Sequence, residues 1–335
     1  MNYIGSKQSL LPFLTDSINK IVGTDLSDMV FCDIFAGTGA VGRAYKTKVK
    51  KVIANDWEYY SYVLNRNYIG NHTAMEDRAE FIKALNTLTL KNDGFIFSNY
   101  CYGSGCGRQY FSDENGKKID SIRIKIEEWK QDYTISDDMY FYLLASLIES
   151  ADKVANTASV YGAFLKRLKA SAAKAMVLQG AEYSVNSNFH EVYCQDANKL
   201  IKTIEGDILY IDPPYNARQY GANYHLLNTI AEYKTFSPVG KTGLREYKRS
   251  SYCRKDSVKD SFETLIKDAR FKFIVLSYNN EGLMPPEFIK ATMSKYGHYD
   301  VLTKEYSRFK ADNDKNRRHT ANSTIEYLHF LNKNY

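Results

Sequence analysis

The sequence predicts an α/β protein built on a largely parallel sheet, and three observations carry that prediction. Short apolar runs recur without the alternation of a half-exposed strand, which marks strands buried on both faces. The first run opens through clustered glycines into a helix start, and a later one is stopped at once by two prolines. The run order strand, helix, strand is that of a sheet covered by helices.

The elements follow in order. In "MVFCDIFAGTGAVG" (29–42), Val30 to Phe35 form a buried strand, and Gly37, Gly39 and Gly42 satisfy G-x-G-x-x-G before the helix start "AVGRAYK". A second strand, "KKVIAN", ends at Asp56, about 20 residues after Gly37, where an acid at a strand end grips a ribose. An adenosine-containing cofactor is expected there. Further buried strands are predicted at "EVYCQD" (191–196), "DILYID" (207–212) and "FKFIVLSY" (271–278). "HYDVLTKEYSRF" and "STIEYLHFL" alternate and are joined by a polar stretch too poor in apolar residues for a helix, so they are expected as an antiparallel pair at the sheet edge. Between 71 and 189 the rhythm stops. "MYFYLLASLIESADKVANTA" and "YGAFLKRLKASAAKAMVLQ" are expected as helices, and "NYCYGSGCGRQYFSDENGKKID" (99–120) as an irregular segment. An insertion of this size is expected to form a separate, mainly helical lobe, giving core segments 1–70 and 190–335 around an insertion at 71–189.

Composition excludes several classes. A hydrophobic content of 44% and a charged content of 25% are ordinary for a globular chain, and no apolar run approaches membrane-spanning length. The start "MNYIGSKQSL" lacks the regions of a signal peptide, so a cytoplasmic location is expected. The five cysteines are scattered without metal-site spacing, so reduced thiols and no metal site are expected. The net charge of +6 is unevenly spread: "KTGLREYKRSSYCRKDSVKD" (241–260) carries seven Lys/Arg against three acids. With interleaved Tyr and Ser this is an electrostatic footprint for phosphates, and Lys241, Arg245, Lys248, Arg249 and Arg254 are the candidate nucleic-acid contacts within a loop at 235–260.

The most specific chemistry lies in "DILYIDPPYNARQY" (207–220). A dinucleotide oxidoreductase would explain the glycine loop but leaves Asp212 and Tyr215 without a task. A flat aromatic amine explains every residue. The exocyclic nitrogen of adenine is a poor nucleophile because its lone pair is delocalised into the ring. Two acceptors on its hydrogens, the Asp212 carboxylate and the Pro213 carbonyl, localise that pair, while Pro213 and Pro214 fix the carbonyl direction. Tyr215 offers a face on which an extruded base stacks.

"NYIGSK" (2–7), "DIFAGTGAVG" (33–42), "NDWE" (55–58), "CQDA" (194–197) and "DPPY" (212–215) occur in this order. In this the chain resembles the alpha group of DNA adenine-N6 methyltransferases, the Dam-like group of restriction–modification systems. The resemblance implies a Rossmann-like S-adenosylmethionine-dependent core with a target-recognition insertion, and direct methyl transfer to adenine N6 with no metal and no covalent intermediate. It implies that Tyr3 and Lys7 lie beside the cofactor, with Lys7 near its carboxylate end or the target base. Phe35, Ala36, Gly37 and Gly39 should cradle the methionine moiety, Asp56 bind the ribose, Asp196 approach the adenine, and Asp212 adjoin both cofactor and base. Duplex DNA is the implied partner, with a cognate restriction endonuclease acting separately. Two other functions compete: methylation of RNA or another planar amine, and a catalytically inert nucleic-acid-binding module. Activity on duplex DNA against RNA discriminates among the three.

Overall fold

The computed structural model describes residues 7–307 and 323–334; Tyr3 lies outside them. Seven strands form one sheet: β1 (Val30–Asp33), β2 (Lys51–Asn55), β3 (Glu191–Tyr193), β4 (Glu205–Ile211), β5 (Arg270–Asn279), β6 (Gly297–Ser307) and β7 (Ser323–Lys333). Their order is β3-β2-β1-β4-β5-β7-β6. The pairs among β3, β2, β1, β4 and β5 are parallel, whereas β7 is antiparallel to both β5 and β6. From β1 the chain winds outward to β2 and β3, and from β4 outward to β5. The order therefore reverses between the neighbours β1 and β4, and the crevice at their carboxyl ends is where an open α/β sheet binds its ligand.

Every predicted strand is present, and the continuous apolar runs are buried as expected: Phe31, Cys32, Val52, Ile208, Leu209, Ile211, Ile274 and Leu276 are all nearly or wholly inaccessible. The last two strands form the expected antiparallel pair at the sheet edge, with β6 outermost and β7 between it and β5. The crossover from β5 through the helix Pro286–Met293 sets β6 one strand away, and β7 returns through that gap, bonding β5 on one side and β6 on the other.

Two compact units divide the chain differently from the expected 71–189 insertion. One comprises Glu58–Ser187 together with Tyr220–Lys248; the other holds the sheet, with residues 7–57, Asn188–Gln219 and the described residues from Arg249 onward. The first unit is mainly helical, built on Asp113–Gln131 and Asp137–Lys153. Segment 220–248 joins it through polar ties that no periodicity reveals. The Arg123 guanidinium donates to Ile230 O and Ala231 O (both 3.1 Å), capping the last carbonyls of the helix His225–Glu232. Asn228 accepts from Tyr60 N (3.0 Å) and donates to Glu58, while Arg108 donates to Gly240 O (3.0 Å) and Lys241 O (3.3 Å).

Two further expectations in this unit are corrected. Residues 161–179 form no helix. Their backbone groups are claimed by asparagine side chains. Asn156 donates to Leu165 O (2.9 Å) and accepts from Lys169 N (3.0 Å), and Asn115 donates to Lys174 O (2.9 Å) and accepts from Met176 N (2.8 Å). Such partners satisfy the peptide groups as a helix would, so local propensity loses to tertiary bonding. Conversely, the irregular stretch ends early, because a helix starts at Asp113. Ser112 caps it by accepting from Asn115 N (3.3 Å), with Asp113 and Glu114 in the first turn.

Candidate active site

The sheet unit places the glycine loop directly after β1. Gly37 and Gly39 have φ of 53° and 79°, in the left-handed region that favours glycine, and Gly39 precedes the helix Ala40–Tyr45. The loop is held from β2: Ala36 N donates to Asn55 O and Gly37 N to Asp56 Oδ2, both at 2.8 Å. The buried Asn55 side chain donates to Ile34 O (3.0 Å) and Gln195 O (3.1 Å) and accepts from Gln195 N (3.0 Å). One asparagine thus ties together the turns that follow β1, β2 and β3. Phe35 sets its ring edge-on to Tyr252, with centroids 4.9 Å apart. Asp196 follows β3 and caps a short helical turn, accepting from Lys199 N at 3.0 Å.

Asp33, the last residue of β1, is buried. Its Oδ2 accepts from Gly42 N (3.1 Å), whereas Oδ1 has no hydrogen-bond partner among the described residues. Burial, with the Asp212 and Asp56 charges adding and the Gly42 N–H opposing, raises its carboxyl to about 8. A buried acceptor left open beside a glycine loop suits a cationic group.

At the neighbouring β4, Ile211 passes into Asp212-Pro213-Pro214-Tyr215. Asp212 Oδ1 accepts from the Tyr215 hydroxyl and lies 3.1 Å from Lys7 Nζ, which also bonds the Tyr215 oxygen and sits 4.6 Å from the ring centroid. The same ammonium lies 3.2 Å from Glu326 Oε1 on β7, and Ser277 Oγ of β5 donates to that oxygen. Lys7 and Glu326 are almost wholly inaccessible, whereas Asp212 is partly exposed. Burial alone would lower the Lys7 ammonium, but the two carboxylates outweigh it and hold it above its ordinary value. Asp212 is raised to about 7, chiefly by burial and further by Glu326, with Lys7 opposing. Tyr215 packs edge-on to Tyr278 (5.3 Å, 82°), and its carbonyl accepts from Leu283 N at 3.0 Å, so the loop is fixed at its far end.

The structure thus brings Phe35, Ala36, Gly37, Gly39, Asp56 and Asp196 to the carboxyl edge of β1–β3, and Lys7 to the Asp212–Tyr215 loop after β4. Three participants escaped sequence reasoning. Asp33 and Asn55 stand inside the quoted motifs, immediately before the loop and before Asp56. Glu326 had a signal too: it shares its strand face with Leu328 and Phe330, and a carboxylate on a buried face calls for a partner. Among the five candidate phosphate contacts, Lys241, Lys248, Arg249 and Arg254 are exposed, Arg254 bridging Asp256 at 2.6 Å. Arg245 is mostly buried and paired with Glu232 at 2.8 Å. No group of His, Cys, Asp and Glu among the described residues is arranged to hold a metal ion, and no helix there is long and apolar enough to cross a membrane.

A glycine cradle and an Asp-Pro-Pro-Tyr loop at the switch point of a Rossmann-like sheet define a methyltransferase. More particularly, the chain belongs to the D12 class N6 adenine-specific DNA methyltransferases, a family that matches residues 3–292. It is 60% identical to the Type II methyltransferase M.NlaIII of Neisseria lactamica, over the whole of both chains. It is 38% identical to the Type II methyltransferase M.CviAII of Paramecium bursaria Chlorella virus 1, covering 99% of this chain and 98% of that one. With the Type II methyltransferase M.FokI of Planomicrobium okeanokoites it shares 36% identity over 99% of its own length and 53% of the longer relative. The protein is a site-specific DNA methyltransferase acting on adenine N6.

Proposed function

We propose that this enzyme binds S-adenosylmethionine in the β1–β3 cradle and methylates an adenine flipped from duplex DNA against the Asp212–Tyr215 loop. The observation that carries this is the adjacency of β1 and β4: the cradle and the Asp-Pro-Pro-Tyr loop leave neighbouring strands of one unit at the switch point. The residues present fit the cofactor. Asp33, with an open buried oxygen, would meet its ammonium group, Phe35 to Gly39 its methionine chain, Asp56 its ribose hydroxyls and Asp196 its adenine. When bound, S-adenosylmethionine supplies an electrophilic methyl on a sulfonium.

The chain's own residues do the rest. Asp212 and the Pro213 carbonyl accept hydrogen bonds from the two amino hydrogens of the target base, which concentrates the lone pair on N6. Tyr215 stacks on the ring and offsets part of the unstacking cost. The proton that N6 must shed passes to Asp212, whose carboxyl near 7 suits it as acceptor.

Asp56→Ala tests the cradle. The substitution removes the proposed ribose contact and also the anchor of Gly37 N, so cofactor Kd should rise roughly ten- to hundredfold, with kcat at saturating cofactor close to the parent's. Calorimetric titration with S-adenosylmethionine that finds an unchanged Kd removes Asp56 from the ribose.

Two proposals concern the DNA. The mainly helical excursion between β2 and β3 adds no strand to the sheet, which suits it for target recognition; replacing 71–189 by a relative's segment should move the methylated motif, and an active chimera keeping the parent's motif refutes this. The exposed Lys248 and Arg249 contact phosphates rather than bases. Replacing both with Ala should weaken duplex binding on every sequence and flatten the salt slope by roughly one unit per lost contact. An unchanged slope with altered sequence preference would make them base readers. A cognate restriction endonuclease acting separately, the remaining proposed partner, should cut the unmethylated form of the same motif that long-read sequencing shows this enzyme to methylate, and an endonuclease that cuts the methylated form is not its partner.

A further inference from the structure

Glu326 lies beyond residue 292, where the family match ends, on the strand that fills the gap between β5 and β6. Its Cα pairs with Asn279 of β5, so Ser277 is its diagonal neighbour on the same face and donates to Oε1. Its side chain is wholly buried beside Leu328 and Phe330, where an apolar residue would pack at no electrostatic cost. What it holds is the ammonium of Lys7, at 3.2 Å, and the same nitrogen stands 3.1 Å from Asp212 Oδ1. One cation therefore bridges two carboxylates, the buried Glu326 and the partly exposed Asp212, and only Asp212 belongs to the Asp-Pro-Pro-Tyr loop.

We propose that Glu326 is a positioning residue for methyl transfer: by sharing Lys7 it keeps that ammonium from fully neutralising Asp212, so Asp212 remains a strong acceptor for the amino group of the target base. The inference rests on Asp212 being that acceptor. An ammonium has three donors and a fixed charge. Given Asp212 alone, Lys7 would close on it as a tight pair, and a carboxylate so neutralised accepts weakly from a neutral amine. A second carboxylate on the far side divides the pull. Ser277 fixes the direction from which Glu326 draws. Among the described residues, the titratable and charged groups facing Asp212 are Lys7 from the amino-terminal segment, Asp33 from β1, Tyr210 from β4, Tyr215 from the loop and Glu326 from β7. Of these, Glu326 is the anion held by the same lysine.

Glu326→Gln is the test, because it keeps the size and an oxygen for Ser277 while deleting the charge. With the anion gone, Asp212 should ionise more readily, so the acid limb of the kcat/KM profile should move to lower pH by about one unit. The plateau should fall about tenfold, and S-adenosylmethionine Kd should stay within about twofold. A folded Glu326→Gln enzyme with the parent's acid limb and plateau overturns the proposal. So does one whose activity drops only in step with a lowered Tm, its limb unmoved, since that is a packing role. If Glu326→Gln fails to fold, Ser277→Ala retains every charge and removes the hydrogen bond that orients Glu326. It should lose about threefold in kcat/KM at unchanged cofactor Kd, and an unchanged rate is equally decisive against the proposal. Asp212→Asn is measured alongside. If it stays active, the acceptor assignment itself is wrong; if it is inactive while Glu326→Gln behaves as the parent, only the role of Glu326 fails.

Discussion

Asp212→Asn is expected to lower kcat by roughly 10²–10³-fold while leaving S-adenosylmethionine Kd within about twofold. The substitution is nearly isosteric and even retains an oxygen, so the pocket keeps its shape. What goes, on the proposed mechanism, is the negative charge that strengthens as an acceptor while positive charge develops on N6, and the site that takes the departing proton. Interactions that grow only in the transition state appear in kcat, whereas those made equally by ground state and transition state appear in binding. A matching signature in pH is expected of the parent enzyme. Asp212 in the free enzyme sits at about 7, raised by burial and by Glu326 against the pull of Lys7. Below that value it is protonated, so kcat/KM should fall about tenfold per pH unit on the acid side. The Asn variant, with nothing to titrate there, should have a flat acid limb from this group. An Asp212→Asn enzyme retaining more than about a tenth of the parent kcat would remove Asp212 from the acceptor role.

Tyr215→Ala is expected to cost about 1–3 kcal/mol of base stacking, roughly ten- to hundredfold in kcat/KM, with partial relief when the target adenine is mismatched or single-stranded. Relief follows because less pairing energy then has to be offset. The structure supplies the alternative that must be excluded. Tyr215 is half-buried against Tyr278, and its hydroxyl lies between Lys7 and Asp212, so truncation also removes packing and a hydrogen bond. Tyr215→Phe separates the two. It keeps the ring and its contact with Tyr278 and frees Asp212 Oδ1 for the substrate, so it should retain activity within about threefold of the parent. Methylation rates on paired and mismatched duplexes, together with Tm, distinguish the roles. An inactive Tyr215→Ala protein that melts many degrees early and gains nothing on mismatched DNA would assign Tyr215 to the fold alone.

Much of the candidate site was legible because its motifs are local in sequence. The strand-to-glycine-loop transition at 30–39, the acid at Asp56 and the stop at Asp212-Pro213-Pro214-Tyr215 each occupy a few consecutive residues, and each sits where a buried strand ends. Period and punctuation are short-range signals, and a parallel sheet turns them into a site by bringing all its carboxyl ends to one edge. Helix boundaries were less faithful. The segment 161–179 has helix-forming composition, yet Asn115 and Asn156, distant or only adjacent in sequence, take its backbone groups.

By itself the sequence determined the α/β class, all seven strands and the residues of the Asp-Pro-Pro-Tyr loop, since each depends on runs of neighbours and on what proline and glycine allow. Tertiary structure decided what depends on partners far apart in the chain. It threaded β7 between β5 and β6, because a crossover strand leaves a gap that only a returning antiparallel strand can fill. It drew 220–248 into the helical unit through Arg108, Arg123 and Asn228. And it set Glu326 against Lys7, 319 positions earlier, because a buried carboxylate is tolerated only where a cation meets it, and which cation that is can be known only once the sheet has closed.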